Sequence, residues 1–530
     1  MKKVSFIIAV AVFLSAGCSK DYLSSLQNNP NAPTSSAATP QLVLPGTLTT
    51  LVSTLNGYGG PDASYEYASV WLGYWNYAPG YSFNPIPANY IMSSSTPQLW
   101  DVYYGVLSNL NFIIQTANAQ SDTKYANYKG IANVLTVLCF KNLVDLYNDI
   151  PYTQALKAQA DFYPSYDKAS DIYDSLVARL DLAMTALQAS SSDPVALIPA
   201  SDDILFGGTM QNWILLANTI KLSMLVQQSA VSSKASFLAT EAASTASIGY
   251  LTSDALVNPG YTSAQPGPVW ANFGLGPSGA INTYFTYVKG NQASIDFLKK
   301  TNDTRIGYIY STADAAPSDA NFHSPLPIVF AAYQADYTGT QQQIPGGVSG
   351  MGPGFVQAPN ASAVLISAAE SYFLQAEALV YGWLSGGNTA AQTAYQNGIT
   401  KSYEYLLVGG GGSAADGYAT TYYSQNIPYV AFPLGASADS LDHTIIEQKW
   451  AALNTISPVS AYNDWRRTFN PAMGSGYPIV PLSVSPTNTA PHMPFRYLYP
   501  TEEANNNNES WTKAGGPSID PFNDKIFWMP

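Results

Sequence analysis

The feature that most constrains this chain is a set of apolar stripes that recur at three- and four-residue steps, in runs long enough for helices and arranged two by two. Leu99, Val102, Tyr103, Val106, Leu110, Ile113, Ile114 and Ala117 fall on one face of a helix, because 3.6 residues complete a turn. Ser121-Asp122 interrupts the run. A second helix is predicted from about Lys124 to Tyr147, with Ile131, Val134, Leu135 and Leu138 facing inward. Two helices joined so closely make an αα-hairpin. The stripe returns as Ile172, Leu176, Leu180, Ala183 and Leu187, then as Trp213, Leu216, Ala217, Ile220 and Met224. Ala363 to Trp383 and Thr389 to Leu407 are predicted as another pair, split by Ser385-Gly386-Gly387-Asn388; Asp439 to Leu453 and Val459 to Phe469 form the last. The expectation is a mainly α chain of tetratricopeptide-like helix pairs with little β structure. The pairs are too divergent and too widely spaced to define an internal period.

Between the pairs lie long irregular stretches, 58–96, 249–290 and 312–354, rich in Pro, Gly and aromatic residues. Loops longer than ~12–15 residues are usually functional or disordered, and high aromatic content argues against disorder. The helices therefore read as scaffold and the loops as the recognition half. Charged residues make up 11% of the chain, against ~25% in ordinary domains. The surface must instead be covered by Tyr, Asn, Gln, Ser and Thr; the chain has 38 Tyr and 10 Trp. Such a surface suits neutral, hydroxyl-rich ligands such as sugars, and it equally suits an extracellular protein with no sugar ligand. A net charge of −13, with no basic cluster larger than Arg466-Arg467 or Lys299-Lys300, argues against nucleic acid as a partner, since phosphate neutralisation needs clustered Lys and Arg.

The first 17 residues read as a signal peptide. Lys2 and Lys3 precede the short apolar run Val4 to Leu14, and Ser15-Ala16-Gly17 supplies small residues for cleavage before Cys18. A spanning helix needs ~20 apolar residues, more than this run holds. Cys18 is the expected lipidation site, carrying a fatty acyl group such as palmitate. Residues 18–40 form a Ser-, Asn- and Pro-rich tether, and 41–530 a single helical body. The alternative is an ordinary secretory signal cut at another small residue. The second cysteine, Cys139, lies in an apolar run and reads as a buried hydrophobe.

No catalytic residues are assigned. Asp145 and Asp149 stand at helical spacing, but Pro151 ends any helix there, so Asn148 and Asp149 are expected to satisfy free backbone groups at its end. One of Arg466 and Arg467 is expected to pair with a buried carboxylate, with Asp145 as the candidate. Glycoside hydrolysis needs two carboxylates on one sugar bond; the nine Glu of the chain show no such motif. His323, His443 and His492 are far apart, without metal-ligand spacing, and no cofactor is expected. The run Gly409 to Gly412 lacks the Lys-Ser/Thr of a phosphate loop and reads as a flexible loop. Flat rings stack on the C–H faces of sugars, so the ligand-binding candidates are Trp71, Trp75, Tyr77 and Tyr81 in one aromatic segment and Trp270 in a second.

Further residues carry a family resemblance. Asn29-Pro30-Asn31-Ala32-Pro33-Thr34, Gln41-Leu42-Val43-Leu44-Pro45-Gly46, Asp145-Leu146-Tyr147-Asn148-Asp149-Ile150-Pro151-Tyr152, Asp203-Ile204-Leu205-Phe206-Gly207-Gly208, Ala376-Glu377-Ala378, Glu447-Gln448-Lys449-Trp450 and Asp464-Trp465-Arg466-Arg467 run nearly end to end. Together they resemble the SusD/RagB-like nutrient-binding outer-membrane lipoproteins of Bacteroidota, in the SusD-like branch. One departure is Ser223, where the family often has Arg. The resemblance implies four tetratricopeptide-like units packed against a loop-rich ligand-binding half. It implies a surface-exposed, lipid-anchored place at the outer membrane, a SusC-like TonB-dependent transporter as partner, and an oligosaccharide or polysaccharide as cargo. Alternatives are a secreted enzyme acting on polysaccharide, a peptide-binding lipoprotein of the same architecture, or a helical scaffold.

Overall fold

The computed structural model describes residues 38–56, 63–79, 85–94, 99–157, 162–313, 315–323, 328–340 and 347–530. The signal stretch, Cys18, Tyr81 and nearly all of the tether lie outside the described residues. The helices of nine residues or more are α1 (Pro40–Leu55), α2 (Ala63–Trp71), α3 (Leu99–Asn118), α4 (Ala126–Tyr147), α5 (Ala169–Ser190), α6 (Met210–Gln227), α7 (Ala235–Thr245), α8 (Gln292–Lys300), α9 (Ala368–Val380), α10 (Gly387–Tyr405), α11 (Gly412–Tyr423), α12 (Ala438–Leu453) and α13 (Pro458–Arg467).

The predicted stripes face inward, with only Val102 and Ala117 at the ends of the first one half-buried. Ile172, Leu176, Leu180, Ala183 and Leu187 line the inner face of α5, and Trp213, Leu216, Ala217, Ile220 and Met224 that of α6. Helices α3, α4, α5 and α6 pack in succession, each on the next. In the C-terminal half, α9 packs on α10 and α12, and α10 on α11. Helix α4 is long and apolar enough to cross a membrane, yet it is almost wholly buried. So apolar a helix needs protein around most of its surface, and α1, α3, α5 and α6 supply it. A continuous cluster of buried apolar side chains extends from Leu44 in α1 to Met529 near the end of the chain.

The predicted helix from Ala363 is corrected. Ala363–Ile366 is a strand, β6, paired antiparallel with β2 (Ala255–Val257), with Val257 opposite Ala363 and Ala255 opposite Ile366. The run Ala-Val-Leu-Ile is a short buried apolar strand that periodicity alone cannot separate from a helix turn. The helix starts after it, because Ser367 Oγ accepts from the Glu370 N–H at 3.1 Å, a Ser-x-x-Glu capping arrangement. Two further ribbons lie in the loop-rich half: β1 (Trp75–Tyr77) with β3 (Val288–Gly290), and β4 (Tyr310–Ala313) with β5 (Ser349–Met351).

Charged residues from three helices meet in the core. Lys449 of α12 contacts Glu377 of α9 at 3.2 Å and Asp464 of α13 at 3.0 Å. Arg467 donates to Asp464 at 2.9 Å and also pairs with Glu377. Two cations and two carboxylates thus neutralise each other out of water, the condition under which buried charge is tolerated.

Arg467 thus meets buried carboxylates, as expected of one of the two arginines, but the expected partner, Asp145, is corrected. Asp145 forms its ion pair with Lys141 at 2.7 Å. Its carboxylate also accepts from Tyr173, from Asn463 at 3.0 Å and from Trp528 at 3.1 Å. Arg466 reaches the Asp145 main-chain carbonyl instead, at 2.6 Å, and the Phe495 carbonyl at 3.0 Å. Lys141, one turn before Asp145 on the same helix, already fills the carboxylate's cationic side. Asn148 and Asp149 accept from Phe527 and Ala169 N–H groups at 2.8 and 2.9 Å. They tie down the chain end and the start of α5 as satisfied backbone partners.

Candidate functional site

Three of the aromatic candidates are core residues in this structure. Trp71 is 1% exposed, Trp75 0% and Tyr77 2%. Rings of Tyr67, Tyr90, Tyr462 and Tyr497 surround Trp71, whose indole N–H donates to the Pro87 carbonyl at 3.0 Å. Trp75 packs against Tyr65, Phe273 and Phe355. Tyr77 stacks beside Tyr287 and donates to Glu66 at 2.8 Å. Stacking on a sugar needs an open ring face, and here protein covers both faces. The reason is local: all three residues of β1 are buried, so the aromatic segment forms the core of the loop-rich half. Tyr81 lies outside the described residues.

Trp270 is placed differently. It is half-buried in the short helix Pro268–Phe273, donates to the Leu275 carbonyl at 3.2 Å, and lies nearly parallel to the His323 ring, 6.4 Å between centroids. His323 stands on the wall of a cavity of about 420 Å³, within the ~300–1,000 Å³ of small-molecule sites. Gln357 lines both this cavity and a smaller one beneath Trp270.

The cavity is assembled from segments remote in sequence: the short helix Ile306–Ile309 and β4, residues 319–323, Pro353 to Gln357, and Leu406 to Gly410. Tyr308, Phe322, His323 and Tyr333 supply its rings. Burial first, and the neighbouring Tyr308 next, push the Tyr333 hydroxyl up to about 12, so it stays protonated. The polar groups are mostly neutral. Gln357 spends its N–H donors on the Gly354 and Tyr405 carbonyls, both at 2.9 Å, which leaves its amide oxygen to accept. The Tyr308 hydroxyl accepts from the Gly409 N–H at 2.8 Å and keeps its own proton to donate. Asp319 is the one carboxylate among the described lining residues, and neither Lys nor Arg is among them.

The Gly409–Gly412 run, expected to be flexible, borders this cavity and places Gly410 on its wall. All four glycines take positive φ, between +56° and +95°, backbone that other residues adopt only with strain. Leu407, just before them, is itself left-handed at φ 57° and half exposed. Tyr308, His323 and Leu407 carried no local signal. The Gly run marked the place, but nothing in the sequence joined it to Tyr308.

This geometry sits on a chain whose relatives are recognisable. A profile of SusD-like proteins, described as "Starch-binding associating with outer membrane", matches residues 31–500. The chain belongs to the SusD-like family. A SusD homologue of Bacteroides fragilis has the same fold, with a TM-score of 0.71 at 20% identity, covering 93% of this SusD-like chain and 100% of that one. A chitin-binding SusD homologue of Flavobacterium johnsoniae gives 0.69 at 21%, covering 92% and 98%. A SusD/RagB family protein of Bacteroides thetaiotaomicron gives 0.70 at 20%, covering 93% and 99%. No curated protein matches by sequence.

Proposed function

We propose that this SusD-like protein is a non-enzymatic binding protein of the outer membrane that captures a neutral oligosaccharide in the cavity beside Tyr308 and His323 and hands it to a SusC-like TonB-dependent transporter. The observation that carries this reading is the cavity wall: rings, amides and hydroxyls beside a few aliphatic groups, with neither Lys nor Arg among the described lining. Such a wall hydrogen-bonds and stacks but gives an anionic ligand no counter-charge. A single carboxylate falls short of the pair that glycoside hydrolysis requires. The family description and a chitin-binding relative support a glycan as cargo. Cys18 is proposed as the acylated anchor that keeps the body at the membrane.

Calorimetric titration of the purified protein with malto- and chito-oligosaccharides tests the reading, beside an acidic glycan and a peptide. Binding confined to neutral saccharides, and weakened about tenfold or more in Tyr308→Ala, a loss of roughly 1.4 kcal/mol or more, is expected. Tight peptide binding, or release of reducing sugar, would defeat it. Co-purification with a TonB-dependent barrel checks the partner, and incorporation of labelled palmitate, abolished by Cys18→Ala, checks the anchor.

A further inference from the structure

The cavity is not the wall a plain sugar would select. Beside its amides and hydroxyls stand branched aliphatic groups: Ile328, Leu406 and Leu407, with Pro353. A hexose offers hydroxyls around its edge and flat C–H faces above and below. Flat faces match rings such as Tyr308 and His323. Hydroxyls pressed on Leu or Ile tips lose water and gain no partner, which is costly. The structure also holds this aliphatic group on purpose-built backbone. Leu407 keeps a left-handed conformation at φ 57°, half exposed, where most L-residues are disfavoured. A Cβ on Gly411 would approach the Leu407 side chain to 3.2 Å, and one on Gly307 would strike Ile328 at 2.3 Å. Both aliphatic side chains therefore lie over glycines that leave them room. Strained backbone of this kind concentrates at ligand-contacting positions.

Resting on the neutral-glycan reading, we infer that the cavity selects sugars bearing a small uncharged acyl substituent, such as an acetamido group, whose methyl packs on Leu407 and Ile328. The Gln357 amide oxygen, left over after its N–H donors are spent, is the acceptor for the substituent's N–H or a neighbouring hydroxyl. Carboxylated and sulfated substituents are disfavoured because the described lining offers neither Lys nor Arg as a counter-charge.

The test compares N,N′,N″-triacetylchitotriose with cellotriose, which share a backbone and differ in the acetamido groups, and adds maltotriose. Calorimetry on the whole protein is expected to give the acetylated triose roughly tenfold or more tighter binding, the discrimination one buried methyl provides. Saturation-transfer NMR is expected to show the acetyl methyl protons as the most strongly saturated. Leu407→Gly suits the left-handed backbone, so its melting temperature verifies folding, and it is expected to collapse the acetylated-to-plain affinity ratio about tenfold. Equal binding of the trioses, or a ratio that survives Leu407→Gly, overturns the inference while leaving the neutral-glycan reading in place. Binding of none of the three overturns that reading and the inference with it.

Discussion

At the scale of single residues, the buried charges are structural and their removal is expected to be costly. Arg466 lies over the Tyr462 ring at 4.1 Å and the Trp528 ring at 4.9 Å while donating to two main-chain carbonyls. Arg466→Leu leaves those carbonyls buried without donors, so a loss of about 3 kcal/mol is expected in denaturant unfolding. Unchanged stability would show that the guanidinium is dispensable. Asp442 lies at the edge of the ionic cluster, accepting from the Tyr381 hydroxyl at 2.9 Å. Burial raises its carboxyl from 3.8 to about 7, with Arg467 opposing and Glu377 assisting. Between these values the folded state holds the proton more tightly than the unfolded chain. This group's contribution to stability is therefore present below about pH 4 and lost as pH rises towards 7. Asp442→Asn keeps an acceptor for Tyr381 and removes the titration. The parent is expected to lose about 1 kcal/mol or more relative to this variant between pH 5 and pH 7.5, read from melts at both pH values. Parallel pH profiles would refute the assignment.

At the scale of elements, the glycine run after α10 does the work of a rigid wall. Gly409 donates to Tyr308 and has φ +66°, and a Cβ there would meet the Tyr418 ring at 2.6 Å. Gly412 has φ +56° with open space around it and lies off the cavity wall. Gly409→Ala is therefore expected to cost about 2 kcal/mol or more, combining backbone strain with a clash, and Gly412→Ala about 1 kcal/mol from backbone alone. Only Gly409→Ala should also weaken oligosaccharide binding, because it displaces the hydrogen bond that holds Tyr308. Equal effects of both substitutions on affinity would argue that the run is a loose connector. The helices α3 to α6 were legible because their stripes match the turn of a helix over twenty residues or so. The strand Ala363–Ile366 was not, since four apolar residues satisfy either period and only its partner, β2, decides between them.

At the scale of the whole molecule, low charge sets how ligand binding responds to its surroundings. With neither Lys nor Arg in the described cavity wall, affinity for a neutral oligosaccharide should change less than about twofold between 0.05 and 0.5 M NaCl, where ionic contacts are progressively screened. A steep fall with salt would point to an anionic ligand and to residues beyond those walls. The candidate site was the least legible part of the molecule. Tyr308 and Gly409 meet although they are 101 positions apart, so neither reveals the other in sequence. Trp75 illustrates the converse error: an aromatic side chain has the same composition signature whether it faces solvent or, at 0% exposure, fills a core.

By itself the sequence determined the helical scaffold and the family, because apolar period and motif order are local properties written along the chain. It determined the shortage of charge, and with it the neutral character of any ligand surface. Only the tertiary structure decided which aromatic residues were spent on the core, which carboxylate took which cation, and which distant loops closed a cavity. Those outcomes depend on how the backbone brings remote segments together, and burial is a property of that arrangement rather than of any residue in it.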